Sequence, residues 1–119
     1  MVTILIVEDD PSLRLMYEKM LKISGYDVVN MAKNGEEAIN LYKSFSVKPD
    51  IILMDHRMPI KNGIEATKEI LQIDNTSKII FASADQSIRE TALSVGAFSF
   101  KEKPFNMKRL IDNIQKALK

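Results

Sequence analysis

The residues of this chain that could do chemistry sit at the ends of short apolar runs. Glu8-Asp9-Asp10 follow one run, a single Asp55 follows another, Ser83 closes a third, and Lys103 stands just beyond the last. Together they make an oxygen-rich set, since the sequence holds no cysteine and only one histidine. If the runs before Glu8 and Asp55 lie side by side, three or four carboxylates crowd one small site. Two such charges about 5 Å apart repel by roughly 3 kcal/mol at an effective dielectric near 20. The cluster therefore calls for compensation by a cation, by Lys103 or by a retained proton. Mg²⁺ suits it, with Mn²⁺ as a substitute, because Mg²⁺ takes hard oxygen ligands and is commonly held by one or two carboxylates plus a substrate phosphate. An aspartate beside such a cation, a hydroxyl and a lysine has the parts for phosphoryl transfer. Asp55 attacks phosphorus in line, while the cation, Lys103 and Ser83 share the charge on the equatorial oxygens.

The elements that must position these residues can be read from hydrophobic patterning. Apolar runs at Thr3 to Val7, Asp27 to Met31, Ile51 to Met54, Lys78 to Ala82 and Phe98 to Lys101 predict five strands. Three of them are almost uninterrupted Ile, Leu, Val and Phe, as in parallel strands covered on both faces. Between them the spacing is helical. Leu13, Met16, Tyr17, Met20 and Leu21 form one stripe, with Asp10 and Pro11 at its start and Gly25 at its end. Asn34 opens the second helix, with Glu37 placed for a capping box and Ala38, Leu41, Tyr42 and Phe45 on one face. Asn62-Gly63 opens the third, and Asp85 or Ser87 opens the fourth, which ends at Gly96. Behind Asn106, the fifth carries Met107, Leu110, Ile111, Ile114 and Leu118. Five strand-then-helix units imply an open parallel sheet with helices on both faces and ligands beyond the carboxyl ends of the strands.

Bulk properties narrow the classes. The 119 residues suit one domain, read here as 1–119, and 45% hydrophobic with 28% charged residues is ordinary globular composition. Seventeen basic against sixteen acidic residues give a net charge of +1, no electrostatic footprint for nucleic acid. The apolar runs are too short to cross a bilayer, no signal-peptide layout opens the chain, and a cytoplasmic location is expected.

The strings ILIVEDD, PDIILMDHRMPIKNG, SAD and KPF occur in the order and at the spacing of bacterial and archaeal response-regulator receiver domains. The chain resembles that family from Ile4 to the final helix. The resemblance implies a flavodoxin-like sheet ordered 2-1-3-4-5. It makes Asp55 the phosphoacceptor, Asp9 a direct metal ligand, Glu8 a partner acting mainly through water, and the Arg57 backbone carbonyl a further ligand. Ser83 corresponds to the hydroxyl residue that bonds the phosphoryl group, Lys103 to the family's lysine, with a cis bond to Pro104, and Phe100 to the switch aromatic. The phosphoryl group is expected from a phosphohistidine on a sensor kinase or a histidine phosphotransfer protein. A downstream target would be met through the face of the fourth helix, fifth strand and fifth helix. The domain is then an acceptor with slow self-dephosphorylation rather than a metabolic enzyme.

Departures from the pattern are Glu8 where Asp is commoner, Ser83 for Thr, and Phe100 for Tyr, which removes a phenolic hydrogen bond from any switch. Arg57 and Asp85 are expected to pair across the mouth of the site and to limit hydrolytic water. Asp10 reads as a helix cap, and His56 points away from Asp55 by strand alternation and receives no chemistry. Two other functions fit the sequence less well. A flavodoxin-type electron carrier needs a Ser/Thr/Gly-rich phosphate loop after the first strand, where Glu8-Asp9-Asp10 would repel the ligand. A haloacid-dehalogenase-type phosphohydrolase carries D-x-D on its first strand, which this chain lacks. A stand-alone regulator is expected in preference to a receiver cut from a longer one, since Phe98 to Glu102 lacks the Asp-rich lead-in of winged-helix transcription regulators.

Overall fold

The computed structural model describes residues 1–103 and 105–119. Its strands are β1 (Thr3–Val7), β2 (Asp27–Ala32), β3 (Ile51–Met54), β4 (Lys78–Ser83) and β5 (Ser99–Glu102). The helices are α1 (Pro11–Ile23), α2 (Gly35–Ser44), α3 (Gly63–Ile73), α4 (Arg89–Ser94) and α5 (Met107–Ala117). All strand pairs are parallel, in the order β2-β1-β3-β4-β5, so the expected architecture stands.

Period-2 alternation sorts the central strands onto two cores. Ile4, Ile6, Ile51, Leu53, Ile80 and Ala82 meet Tyr17 and Leu21 of α1 and Leu110, Ile114 and Ala117 of α5. Leu5, Val7, Ile52, Met54, Ile79 and Phe81 meet Ala38 and Tyr42 of α2, Ala66 and Ile70 of α3 and Ala92 of α4. Burial on both faces explains why these strands read as continuous apolar runs.

Several boundaries and surfaces differ from expectation. β5 runs one residue later than predicted: Phe98 donates its N–H to the Ile79 carbonyl at 2.8 Å but lies ahead of the strand, 39% exposed. The fourth helix is shorter than its predicted span, because Asp85 caps a 3₁₀ turn at Gln86–Ile88 and α4 starts only at Arg89. Asn34 caps α2 through the Glu37 N–H at 2.8 Å, but the Glu37 carboxylate reaches the Lys33 N–H, so the expected reciprocal box does not close on the cap residue. The true capping box is Asn62 with Glu65, at the start of α3. The α1 stripe is only half core: Tyr17 and Leu21 are buried, whereas Met16 and Met20 are exposed. Met54 is fully buried, Met58 packs against the same core, and Met31 and Met107 pack against the other.

Candidate phosphoacceptor site

Glu8, Asp55 and Lys103 each stand one residue past their strands, on backbone that extends the ladder, while Ser83 closes β4 and Asp9 follows Glu8. The Glu8 N–H reaches the Ala32 carbonyl at 3.0 Å, the Asp55 N–H the Val7 carbonyl at 2.9 Å, and the Lys103 N–H the Ser83 carbonyl at 2.9 Å. Alternation then decides the side. Glu8 follows Ile4 and Ile6, and Asp55 follows Ile51 and Leu53, so both turn towards the α1/α5 face. Gly63 makes room beneath Asp55: a Cβ there would lie 2.3 Å from the Asp55 carbonyl oxygen. α3 can therefore start directly against the end of β3.

The structure brings the acidic residues together. Glu8, Asp9 and Asp55 each offer a carboxylate oxygen within 4.8 Å of the others. Glu8 is 2% exposed and Asp55 7%, while Asp9 is open to solvent. Lys103 Nζ lies 2.8 Å from Glu8 Oε1 and 3.6 Å from Asp55 Oδ1. Asp55 Oδ1 also accepts the His56 N–H at 2.8 Å, and Glu8 Oε2 accepts the Asp10 N–H at 3.2 Å. Burial pushes the Glu8 carboxyl up to about 7, against the hydrogen bond from Lys103 and with further upward pressure from Asp55. Burial raises Asp55 as well, against the pull of Lys103 and the His56 N–H. One ammonium thus does not offset two buried carboxylates and a third at the rim. The donors are all hard oxygens and carry surplus negative charge, which fits a divalent cation such as Mg²⁺.

Ser83 is 1% exposed and its Oγ accepts the Asp85 N–H at 3.1 Å. Arg57 Nη2 and Asp85 Oδ2 lie 3.2 Å apart, an ion pair joining the loops after β3 and β4. Asp85 also accepts from Ser87, and this hydrogen bond, before the Arg57 pair, holds its carboxyl below the usual range. Phe100 is 3% exposed, already packed inward, with the Arg89 guanidinium 5.8 Å from its ring centre. Its ring is thus already inward in this conformation. Asp10 caps α1 by accepting the Ser12 and Leu13 N–H groups at 2.9 and 3.3 Å. His56 has a buried Nδ1 without a hydrogen-bond partner among the described residues, and burial lowers its pKa. The expected cis bond at Pro104 lies outside the described residues.

Two supporting contacts escaped the sequence reading. Arg14 Nη1 donates to the Glu8 carbonyl at 2.8 Å, tying α1 to the acidic turn. The Lys61 carbonyl accepts the Gly35 N–H at 2.9 Å, tying the loop after β3 to α2. Arg14 sits one turn into an amphipathic helix, so its type signals only a solvated face. Gly35 follows a helix cap, and nothing local reveals a distant loop packed on it.

Comparison with known proteins agrees with this geometry. Residues 4–115 match the family described as the response regulator receiver domain. The chain is 42% identical to the chemotaxis protein CheY of Thermotoga maritima over 118 residues, covering 98% of this chain and 97% of that protein. It is 43% identical to the CheY of Bacillus subtilis, covering 97% and 96%. Its fold superposes on the CheX-CheY-BeF3-Mg²⁺ complex from Borrelia burgdorferi with a TM-score of 0.93, at 25% identity and with 99% and 90% of the two chains covered. Response regulator TrrA of Thermotoga maritima, solved with Mg²⁺-BeF, gives a TM-score of 0.86 at 34% identity, covering 98% and 99%. With its sheet order, its strand-end acidic cluster and these relatives in agreement, the chain belongs to the response regulator receiver family of two-component signalling.

Proposed function

We propose that Asp55 is the phosphoacceptor of a binding switch and that Glu8, Asp9, Asp55 and the Arg57 carbonyl hold Mg²⁺ beside it. The observation that carries this reading is the convergence of Glu8, Asp9 and Asp55 within 4.8 Å, against Lys103 as their cation. When bound, Mg²⁺ offsets carboxylate charge and the negative charge of the transferring phosphoryl group. Asp55 attacks phosphorus, forming the P–O bond of an acyl phosphate as the P–N bond of a phosphohistidine breaks and the imidazole leaves. In this reading Lys103 and the Ser83 hydroxyl bond the phosphoryl oxygens. Water attack on phosphorus later returns the Asp55 carboxylate and inorganic phosphate, so the protein is reset rather than turned over as a metabolic enzyme.

The proposed donor is a sensor histidine kinase or histidine phosphotransfer protein. The output passes from Ser83 and Phe100 to the α4–β5–α5 face. Supporting that route is a groove of about 320 Å³ whose lining includes Arg89, Phe100, Lys101 and Arg109. With Phe100 lacking a hydroxyl and already inward, repacking around its ring and Arg89 carries the signal. Residues 1–119 act as one receiver unit in the cytoplasm, in keeping with the absence of any described helix long and apolar enough to cross a membrane. Labelling from acetyl phosphate with Mg²⁺ tests the assignment. Wild type should take label and Asp55→Asn should not; equal labelling of both contradicts it.

A further inference from the structure

The loop between β3 and α3 carries Arg57, and its two ends are fixed: Asp55 on the β1 ladder, and Gly63 through its N–H to the His56 carbonyl at 3.0 Å. Its middle is strained. Ile60 holds φ at +71° while the Lys61 N–H bonds the Pro59 carbonyl at 2.7 Å, the rarer, positive-φ form of a γ-turn. A β-branched residue is an outlier there, and the Ile60 side chain, 79% exposed, makes no burial gain that offsets it. Something outside the loop must hold this conformation.

Lys61 makes the contacts that can. Its carbonyl accepts the N–H of Gly35, the first residue of α2, which has no partner within its own helix. Its ammonium bonds Glu69 of α3 and lies 3.5 Å from Glu36 of α2. The approach needs a glycine: a Cβ on residue 35 would sit 2.4 Å from the Lys61 carbonyl oxygen. Nothing in the helix itself calls for glycine at this first position, since alanine is the better helix former. Gly35 thus runs against its own helix and in favour of the loop.

We infer that Gly35 and Lys61 form a latch that sets the β3–α3 loop, making them positioning residues for the Arg57 carbonyl at the metal site. The inference rests on the reading of that carbonyl as a ligand, and it adds α2 and α3 to the elements on which cation affinity depends. Orienting partners of ligands typically contribute tenfold or more to metal affinity.

The test is a Mg²⁺ titration of ¹⁵N-labelled protein, following the Asp9 and Asp55 amides, with melting temperatures measured in EDTA. Gly35→Ala should bind Mg²⁺ about tenfold more weakly. Lys61→Ala should weaken binding in the same direction, and Lys61→Arg should restore it. Because alanine favours the helix, Gly35→Ala should lose affinity out of proportion to any loss in melting temperature. If Gly35→Ala fails to fold, the Lys61 pair decides the matter. Wild-type affinity in both alanine variants, whatever their melting temperatures, overturns the latch. Absence of a Mg²⁺ response in wild type overturns the metal reading and the latch with it, and is visible before any variant is made.

Discussion

Glu8 has its carboxyl almost fully out of water, 2.8 Å from one ammonium and close to a second buried carboxylate. Burial raises its pKa from 4.5 to about 7, so the folded protein binds a proton there that the unfolded chain gives up. A raised folded-state pKa contributes stability that is full below the unfolded value and is lost as pH rises through the folded one. In metal-free buffer, Glu8 should therefore lower the melting temperature as pH goes from about 4.5 to about 7. Melting curves of wild type and Glu8→Gln across that window check it, the variant being flatter. The Arg57–Asp85 pair behaves differently. With the Arg57 side chain 77% exposed and solvent screening the pair, its loss should change stability little. If the pair shields the acyl phosphate from water, Arg57→Ala and Asp85→Ala should each shorten its lifetime severalfold. Unchanged decay of the phosphorylated protein in both variants removes that role. Opposite charges at two positions that the family resemblance puts at the mouth of the site are all that announces this pair, and the structure supplies the 3.2 Å contact. The sequence could not announce Glu8 as the main partner of Lys103, because residues 95 apart in sequence meet only through the sheet.

Among the elements, the segment from Pro59 to Glu65 holds opposing local energies. Asn62 and Glu65 close a capping box on α3, with the Glu65 N–H on Asn62 Oδ1 at 2.9 Å. Asn62→Ala should cost about 1 kcal/mol. Ile60→Gly should move the other way, gaining on the order of 1 kcal/mol because glycine accepts positive φ. Urea unfolding of the two variants measures both signs, and a destabilised Ile60→Gly would mean that φ of +71° is not strained there. Caps such as Asn34, Asn62 and Asn106 were readable as helix starts because their chemistry is local. The short α4 was not, since its first turn tightens to 3₁₀ under the Asp85 cap, which helical spacing does not distinguish.

At the scale of the whole molecule, the sheet was legible because β1, β3 and β4 are buried on both faces, and such burial leaves runs such as Ile4–Val7 and Ile51–Met54 almost purely apolar. Strand order was not readable from periodicity; it came from family resemblance and is now seen directly. Exposure of Met16 and Met20 was equally hidden, since an apolar stripe does not show where α1 stops touching the sheet. The central sheet couples the site to global stability. Mg²⁺ at a hundred times its dissociation constant should stabilise the fold by about 2.7 kcal/mol, roughly 10 °C in a domain of this size. Asp9→Asn should lose most of that gain. The central claim is that a phosphoryl group resides on Asp55, and borohydride trapping addresses it most directly. An acyl phosphate on aspartate is reduced to homoserine, which peptide mass spectrometry locates. After acetyl phosphate and Mg²⁺, homoserine should appear at position 55 and be absent when EDTA replaces Mg²⁺. Homoserine at another aspartate, or at position 55 without regard to Mg²⁺, would contradict the account.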